Sequence, residues 1–84
     1  MNRERRQELF DVIDTLYEAS DRLEDICSDE QDAYDNLSEG LQASRTGDSM
    51  LAAVDEMTAI NDEIQKIAGR VEKLAKPNKK KKTV

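Results

Sequence analysis

The chain has 84 residues, of which 37% are hydrophobic and 38% charged, and its formal net charge is −6. This length allows one small domain, and the three aromatic residues, Phe10, Tyr17 and Tyr34, leave that domain a thin hydrophobic core. Domains of this size seldom bury enough apolar surface to be stable alone. The composition therefore favours either closely matched helices or association with another surface.

The first predicted element is a long amphipathic helix over residues 3–36. Asn2 is a candidate N-cap, and no glycine or proline occurs before Gly40. Apolar or small residues recur at steps of four and three, which places them on one side of the helix, here called the seam. The seam residues of this helix are Leu9, Ile13, Leu16, Ser20, Leu23, Cys27, Tyr34 and Leu37. Cys27 is interpreted as a small buried hydrophobe or, alternatively, as a disulfide partner across a dimer axis.

A turn-rich connection over residues 37–48 follows. Its glycine, serine and threonine residues favour caps and turns, and the spacing of Leu37 and Leu41 indicates one short helical turn. Gly47 and Asp48 are interpreted as a helix stop and an N-cap, so the second helix is predicted over residues 49–75. The seam residues of this helix are Met50, Val54, Met57, Asn61, Ile64, Ala68 and Val71. Asn61 either fixes the register of the helices or is solvated at an edge.

The two seams predict an all-α fold in which two long antiparallel helices form a hairpin over residues 1–76. Pro77 ends the second helix, and residues 77–84 are predicted to form a basic flexible tail. Apolar side chains also flank the first seam on both sides, a wider surface than one partner helix can cover. The hairpin is therefore predicted to form a homodimer, a four-helix bundle whose interface contains Phe10, Val12, Tyr17, Ala19 and Ile26.

The segment over residues 30–47, EQDAYDNLSEGLQASRTG, is the most distinctive text in the chain. Together with Met50 and the opening residues 2–6, NRERR, it resembles a family of small, mostly helical proteins of phages and mobile elements. In that family a segment of the form EEQEA[YF]DNLPESLQxSxRG joins two amphipathic helices. Ser38 stands here where the family usually has proline, and Gly40 where it has serine. The resemblance implies a two-helix architecture and a phage-type source, but it implies no activity.

The residues that carry most enzyme chemistry are absent. The chain has no histidine, which removes the commonest general base and metal ligand, and Cys27 therefore lacks a histidine partner. Helical carboxylates that bind a di-iron centre face the interior of a bundle, whereas most carboxylates here lie away from the seam. The sequence therefore predicts no enzyme, no cofactor and no metal.

A row of carboxylates runs along the first helix, on the side away from the seam. Between residues 7 and 39 there are twelve acidic residues and one basic residue, Arg22. The row consists of Asp11, Asp14, Glu18, Asp21, Asp25, Asp32 and Asp35. Its carboxylates recur about every 5 Å along the axis, comparable to the phosphates of one nucleic-acid strand. The row is interpreted as a polyanion mimic that binds a basic protein surface or, alternatively, as a face that only keeps the protein soluble.

Basic residues collect at both ends of the chain, which an antiparallel hairpin brings together as one basic tip. The residues of this tip are Arg3, Arg5, Arg6, Arg70, Lys73, Lys79, Lys80, Lys81 and Lys82. An alternative function is therefore contact of this tip with nucleic acid, as in an assembly accessory. A third alternative is a purely structural oligomeric protein.

The preferred interpretation is a small acidic interaction module that modulates or inhibits a protein of nucleic-acid handling or defence. The expected partner is a protein with a basic surface. No apolar segment follows residues 1–6 and none is long enough to span a bilayer, so neither a secretory signal nor membrane association is expected. The predicted location is the cytoplasm, that of the host cell if a phage encodes the protein.

Overall fold

The computed structural model describes residues 1–76 and contains the helices α1 (Arg3–Asp35), α2 (Glu39–Gln42) and α3 (Arg45–Ala75). The long helices α1 and α3 pack side by side, and the short α2 packs on α3. The predicted all-α hairpin is confirmed, with no strand among residues 1–76. The predicted basic tail, with Lys79, Lys80, Lys81 and Lys82, lies outside the described residues.

Local capping sets the start of α1, as the sequence predicts. The backbone N–H of Arg5 donates to Oδ1 of Asn2 at 2.8 Å, which satisfies one of the free donors of the first turn. Uninterrupted by glycine or proline, the helix then runs for 33 residues, about 50 Å.

The connection is folded back on the end of α1. Oγ of Ser38 accepts a weak hydrogen bond from the backbone N–H of Leu41 at 3.4 Å, and so caps α2. The side chain of Gln42 donates to the carbonyl oxygen of Tyr34 at 3.0 Å, tying α2 to the last turn of α1. The short helical turn expected from Leu37 and Leu41 is therefore present, and side-chain hydrogen bonds hold it.

The start of α3 differs from the prediction. α3 begins at Arg45, after Ser44 at the N-cap position, so Asp48 lies inside the helix instead of capping it. Gly47 is buried in the first turn, and a Cβ atom there would overlap the backbone of Gln42. The glycine therefore permits close approach of α2 to α3 and does not stop a helix.

Two contacts fix the register between the long helices. Ser20 Oγ donates to Oδ1 of Asn61, and Sγ of Cys27 lies 3.7 Å from the carbonyl oxygen of Val54. Seven residues forward along α1 therefore correspond to seven residues back along α3, which makes the pair antiparallel. One further heptad places Ile13 opposite Ala68, and both are buried.

The core of the hairpin is very small. Its buried hydrophobic residues are Ile13, Ala68 and Ala75, and no large side chain is fully buried among the described residues. The molecule measures 63 × 24 × 14 Å, so its smallest dimension is close to the diameter of a single helix. The two helices thus form one layer, whereas stable domains bury their apolar faces between two.

Candidate interaction surfaces

The acidic row forms one exposed edge of the hairpin. All seven predicted carboxylates are exposed on the outer side of α1. Only one of them has a side-chain hydrogen bond within residues 1–76: the Gln31 amide donates to Asp35 at 3.0 Å. The one ion pair in the described part of the chain joins Lys76, the C-cap of α3, to Glu72 in its last turn. The structure therefore brings the row together, and no ion pair within residues 1–76 compensates its negative charge.

The basic tip is partly assembled within the described residues. The antiparallel register brings Arg3, Arg5 and Arg6 to the same end as Arg70 and Lys73. Arg6 is half-buried and donates from Nη1 to the carbonyl oxygen of Met1 at 2.9 Å, while the other four residues are exposed. The four predicted tail lysines lie outside the described residues.

The hairpin has two broad faces, and helix geometry assigns side chains to them. Two antiparallel helices are related by an approximate two-fold axis perpendicular to the plane that contains both helix axes. Residues at the same offset from a seam residue in α1 and in α3 therefore lie on the same face. A residue just before a seam residue such as Ser20 or Asn61 lies about 100° to one side of it. A residue four positions after lies about 40° to the other side.

One face, called here the polar face, is closed by polar side chains. Glu24 and Thr58 line a groove over the seam together with Gln65. Nε2 of Gln65 donates to Oγ of Ser20 at 3.4 Å, and Thr58 Oγ1 lies 3.8 Å from Sγ of Cys27. Ser20 is 3% exposed, so these side chains cover the seam on this face.

The other face, called here the apolar face, carries large aliphatic side chains that no other part of residues 1–76 covers. Val12 and Ile26 of α1 are 45% and 54% exposed, and the row of α3 is 38% to 60% exposed. The face consists of Val12, Ala19 and Ile26 from α1, with Ile60, Ile67 and Leu74 from α3. Between these rows Leu16, Leu23 and Ile64 are only half-buried. An uncovered apolar strip of this length is typical of an interaction surface.

The predicted dimer interface is divided between the two faces. Val12, Ala19 and Ile26 lie on the apolar face. Tyr17 follows the seam residue Ile13 by four and lies on the polar face, together with Phe10 one heptad earlier. One flat partner surface cannot contact both sets. The α3 row was not assigned to the interface from the sequence, although its seven-residue spacing from Ile60 to Leu74 marks a helix edge of this kind.

Within residues 1–76 no group of three or more Asp, Glu or Cys side chains has the arrangement of a metal site. No helix in the same range has both the length and the apolar character needed to cross a bilayer. In comparisons with protein-family models, curated proteins and solved structures, nothing matches this chain.

Proposed function

We propose that this protein is an acidic interaction module that binds a basic surface of another protein through the acidic row of α1. The proposal is carried by the seven exposed carboxylates, which share one edge of a single long helix and have no ion-pair partner within residues 1–76. Like charges at this spacing destabilise a helix by a few tenths of a kcal/mol per pair. A row with no intervening base therefore costs stability that alternating charges would avoid.

The proposed partner is a protein whose basic groove accommodates nucleic acid. The carboxylates recur at about 5 Å along the axis, and a groove that binds phosphates by releasing counterions can accept such an edge. If the chain has the phage-type source that the resemblance of residues 30–47 implies, the proposed partner is a host protein of nucleic-acid handling or defence. Binding would then modulate or inhibit that target by occupying its groove.

We also propose that the active form is a homodimer in which two hairpins make a four-helix bundle. The support is the contrast between three buried hydrophobic residues and a continuous row of exposed aliphatic ones within residues 1–76. A single layer of two helices leaves one apolar face in water, and a second layer removes it.

A set of charge reversals tests the acidic row. Asp14→Lys with Asp21→Lys and Asp25→Lys should abolish capture of the partner from nuclease-treated host lysate, and duplex DNA should compete with capture by the unaltered chain. Helix content, measured by circular dichroism, should stay constant or rise because the repulsion within the row is relieved. Capture should also weaken steeply with added salt.

The matched control places the same three changes on exposed positions of α3. Asp48→Lys, Asp55→Lys and Asp62→Lys alter the net charge equally and should leave capture largely intact. If both triple variants lose capture equally, net charge decides binding and the acidic row is not the site. If neither loses capture but deletion of residues 79–84 does, the basic tip is the functional surface.

A further inference from the structure

We infer that a second copy of this chain covers the apolar face, with the two hairpins aligned so that their termini lie at the same end. In this arrangement α1 of one copy packs on α3 of the other. This inference rests on the proposed homodimer but not on the acidic row. It assigns to the interface Ile60, Ile67 and Leu74 of α3 together with Val12, Ala19 and Ile26 of α1.

The size of the face fits a second copy. It runs along helices about 50 Å long and is two helices wide, which permits burial on the order of 800 Å² per hairpin, as in stable protein interfaces. Each long helix would then bury three neighbouring rows of side chains: the two rows of its seam and the exposed row beside them. Three apolar positions in every seven residues is the pattern typical of helices in a four-helix bundle.

A two-fold axis parallel to the helices would set the level at which the copies meet. Because Ser20 lies opposite Asn61, this axis repeats the same register between α1 and α3 of the second copy. A shallow groove on α3, lined by Ile67, Val71 and Leu74 together with Arg70 and Lys73, lies on the face near the termini. The register places Val12 of the second copy over this groove.

The charges that flank the face are complementary in this alignment. Arg22 on the outer edge of α1 is level with the stretch of α3 between Glu56 and Glu63 of the second copy. Glu8 lies within one turn of Arg70 of the second copy. All five side chains are exposed, and none of them is in an ion pair within residues 1–76. Because a two-fold axis relates the two copies, each contact occurs twice in the dimer.

The opposite alignment brings like charges together. A two-fold axis across the helices would pack α1 on α1 and α3 on α3, with the termini at opposite ends. With that axis level with Ser20 and Asn61, Glu8 would lie within one turn of Asp29 of the second copy, and Glu56 within one turn of Glu63. The chosen alignment does gather the basic residues of both copies at one end, but these lie mostly exposed in terminal turns, where salt screens them.

Two cysteine pairs distinguish the alignments in a Cys27→Ser background. Glu8→Cys with Arg70→Cys should yield a covalent dimer with a short bismaleimide, since the two positions meet only between copies. Within one hairpin they lie on opposite outer edges, about 20 Å apart. Glu8→Cys with Asp29→Cys is the matched control and should stay monomeric on a denaturing gel. Circular dichroism should show that both variants keep their helix content.

Charge reversal gives an independent readout without cysteines. Arg22→Glu should raise the dimer dissociation constant, measured by sedimentation equilibrium, by up to about tenfold, because two contacts change sign. Adding Glu56→Arg and Glu63→Arg should restore it.

Three results would overturn the inference. Cross-linking of the Glu8–Asp29 pair alone, or failure of the restoring reversals, would overturn the alignment and leave the homodimer standing. A chain that sediments as a monomer at micromolar concentration would overturn both the alignment and the homodimer, but it would leave the proposal for the acidic row untouched.

Discussion

The seam between α1 and α3 is covered differently on the two faces of the hairpin. On the polar face, the side chains of Gln65 and Thr58 reach over the seam and contact Ser20 and Cys27. On the apolar face the neighbouring positions carry aliphatic side chains, and Leu16 beneath them remains half-buried. The difference shows that polar side chains can cover the seam of a two-helix layer when they form hydrogen bonds with one another. An aliphatic face needs a second layer.

This contrast also explains why so little of the chain is buried. Ile13, Ala68 and Ala75 lie on the seam side nearer the polar face, whereas leucines such as Leu16 lie nearer the apolar face. Burying each half-exposed leucine more fully would contribute up to about 1.5 kcal/mol. Most of the unused apolar surface of the described residues therefore lies on one face.

Breaking the seam that lies between the two faces should have the largest effect. Leu23→Asp places a charge between the helices and should cost more than about 3 kcal/mol, so the helical signal in circular dichroism should collapse. Glu24→Asp, one position away on the polar face, should change stability by less than about 0.5 kcal/mol. Equal effects of the two variants would mean that Leu23 does not lie in the seam as described.

Opposite faces should respond differently in self-association. Ile60→Asn with Ile67→Asn removes two aliphatic anchors of the proposed interface and should raise the dimer dissociation constant by about 100-fold or more, as measured by sedimentation equilibrium. Phe10→Ala with Tyr17→Ala alters the polar face and should leave the mass near twice that of the chain. A reversed outcome would place the partner on the polar face.

The smallest expected effect concerns the hydrogen bonds that close the seam. Ser20→Ala leaves the amide of Asn61 without its partner and should lower the free energy of unfolding by about 1 kcal/mol in chemical denaturation. Ser20→Ala with Asn61→Leu should recover that stability, because both polar groups are removed together. If Asn61 fixes the register, the double variant should also populate more than one oligomeric state, which sedimentation velocity would detect. A single state would show that the aliphatic rows alone set the register.

Local signals in the sequence predicted most of the secondary structure. The long stretch without glycine or proline gave α1, and Asn2 caps it as expected because capping depends on a side chain three residues away. The four-three spacing identified the seam on both helices, since it depends only on helical periodicity. The polar residue in the second seam, Asn61, proved to be hydrogen-bonded across to Ser20.

Less of the candidate interaction surfaces could be predicted from the sequence. The acidic row and its exposure follow from α1 alone, because all of its residues lie on one helix. Helical spacing within α1 alone also places Val12 and Tyr17 on opposite faces, once the faces are defined. Which α3 residues share the face of Val12 depends on how two helices pair, and Ile60 or Ile67 gains its neighbours only through that pairing.

The sequence by itself determined the two helices, their seams and the acidic edge, because periodicity and capping act over a few residues. Only the tertiary structure decided how Gly47 is used, since the obstacle to a side chain there is the backbone of Gln42, brought close by the folded connection. It likewise decided that the aliphatic rows of α1 and α3 lie on a common face, because the contacts of Ser20 and Cys27 set an antiparallel register. Such long-range packing leaves little trace in either helix taken alone.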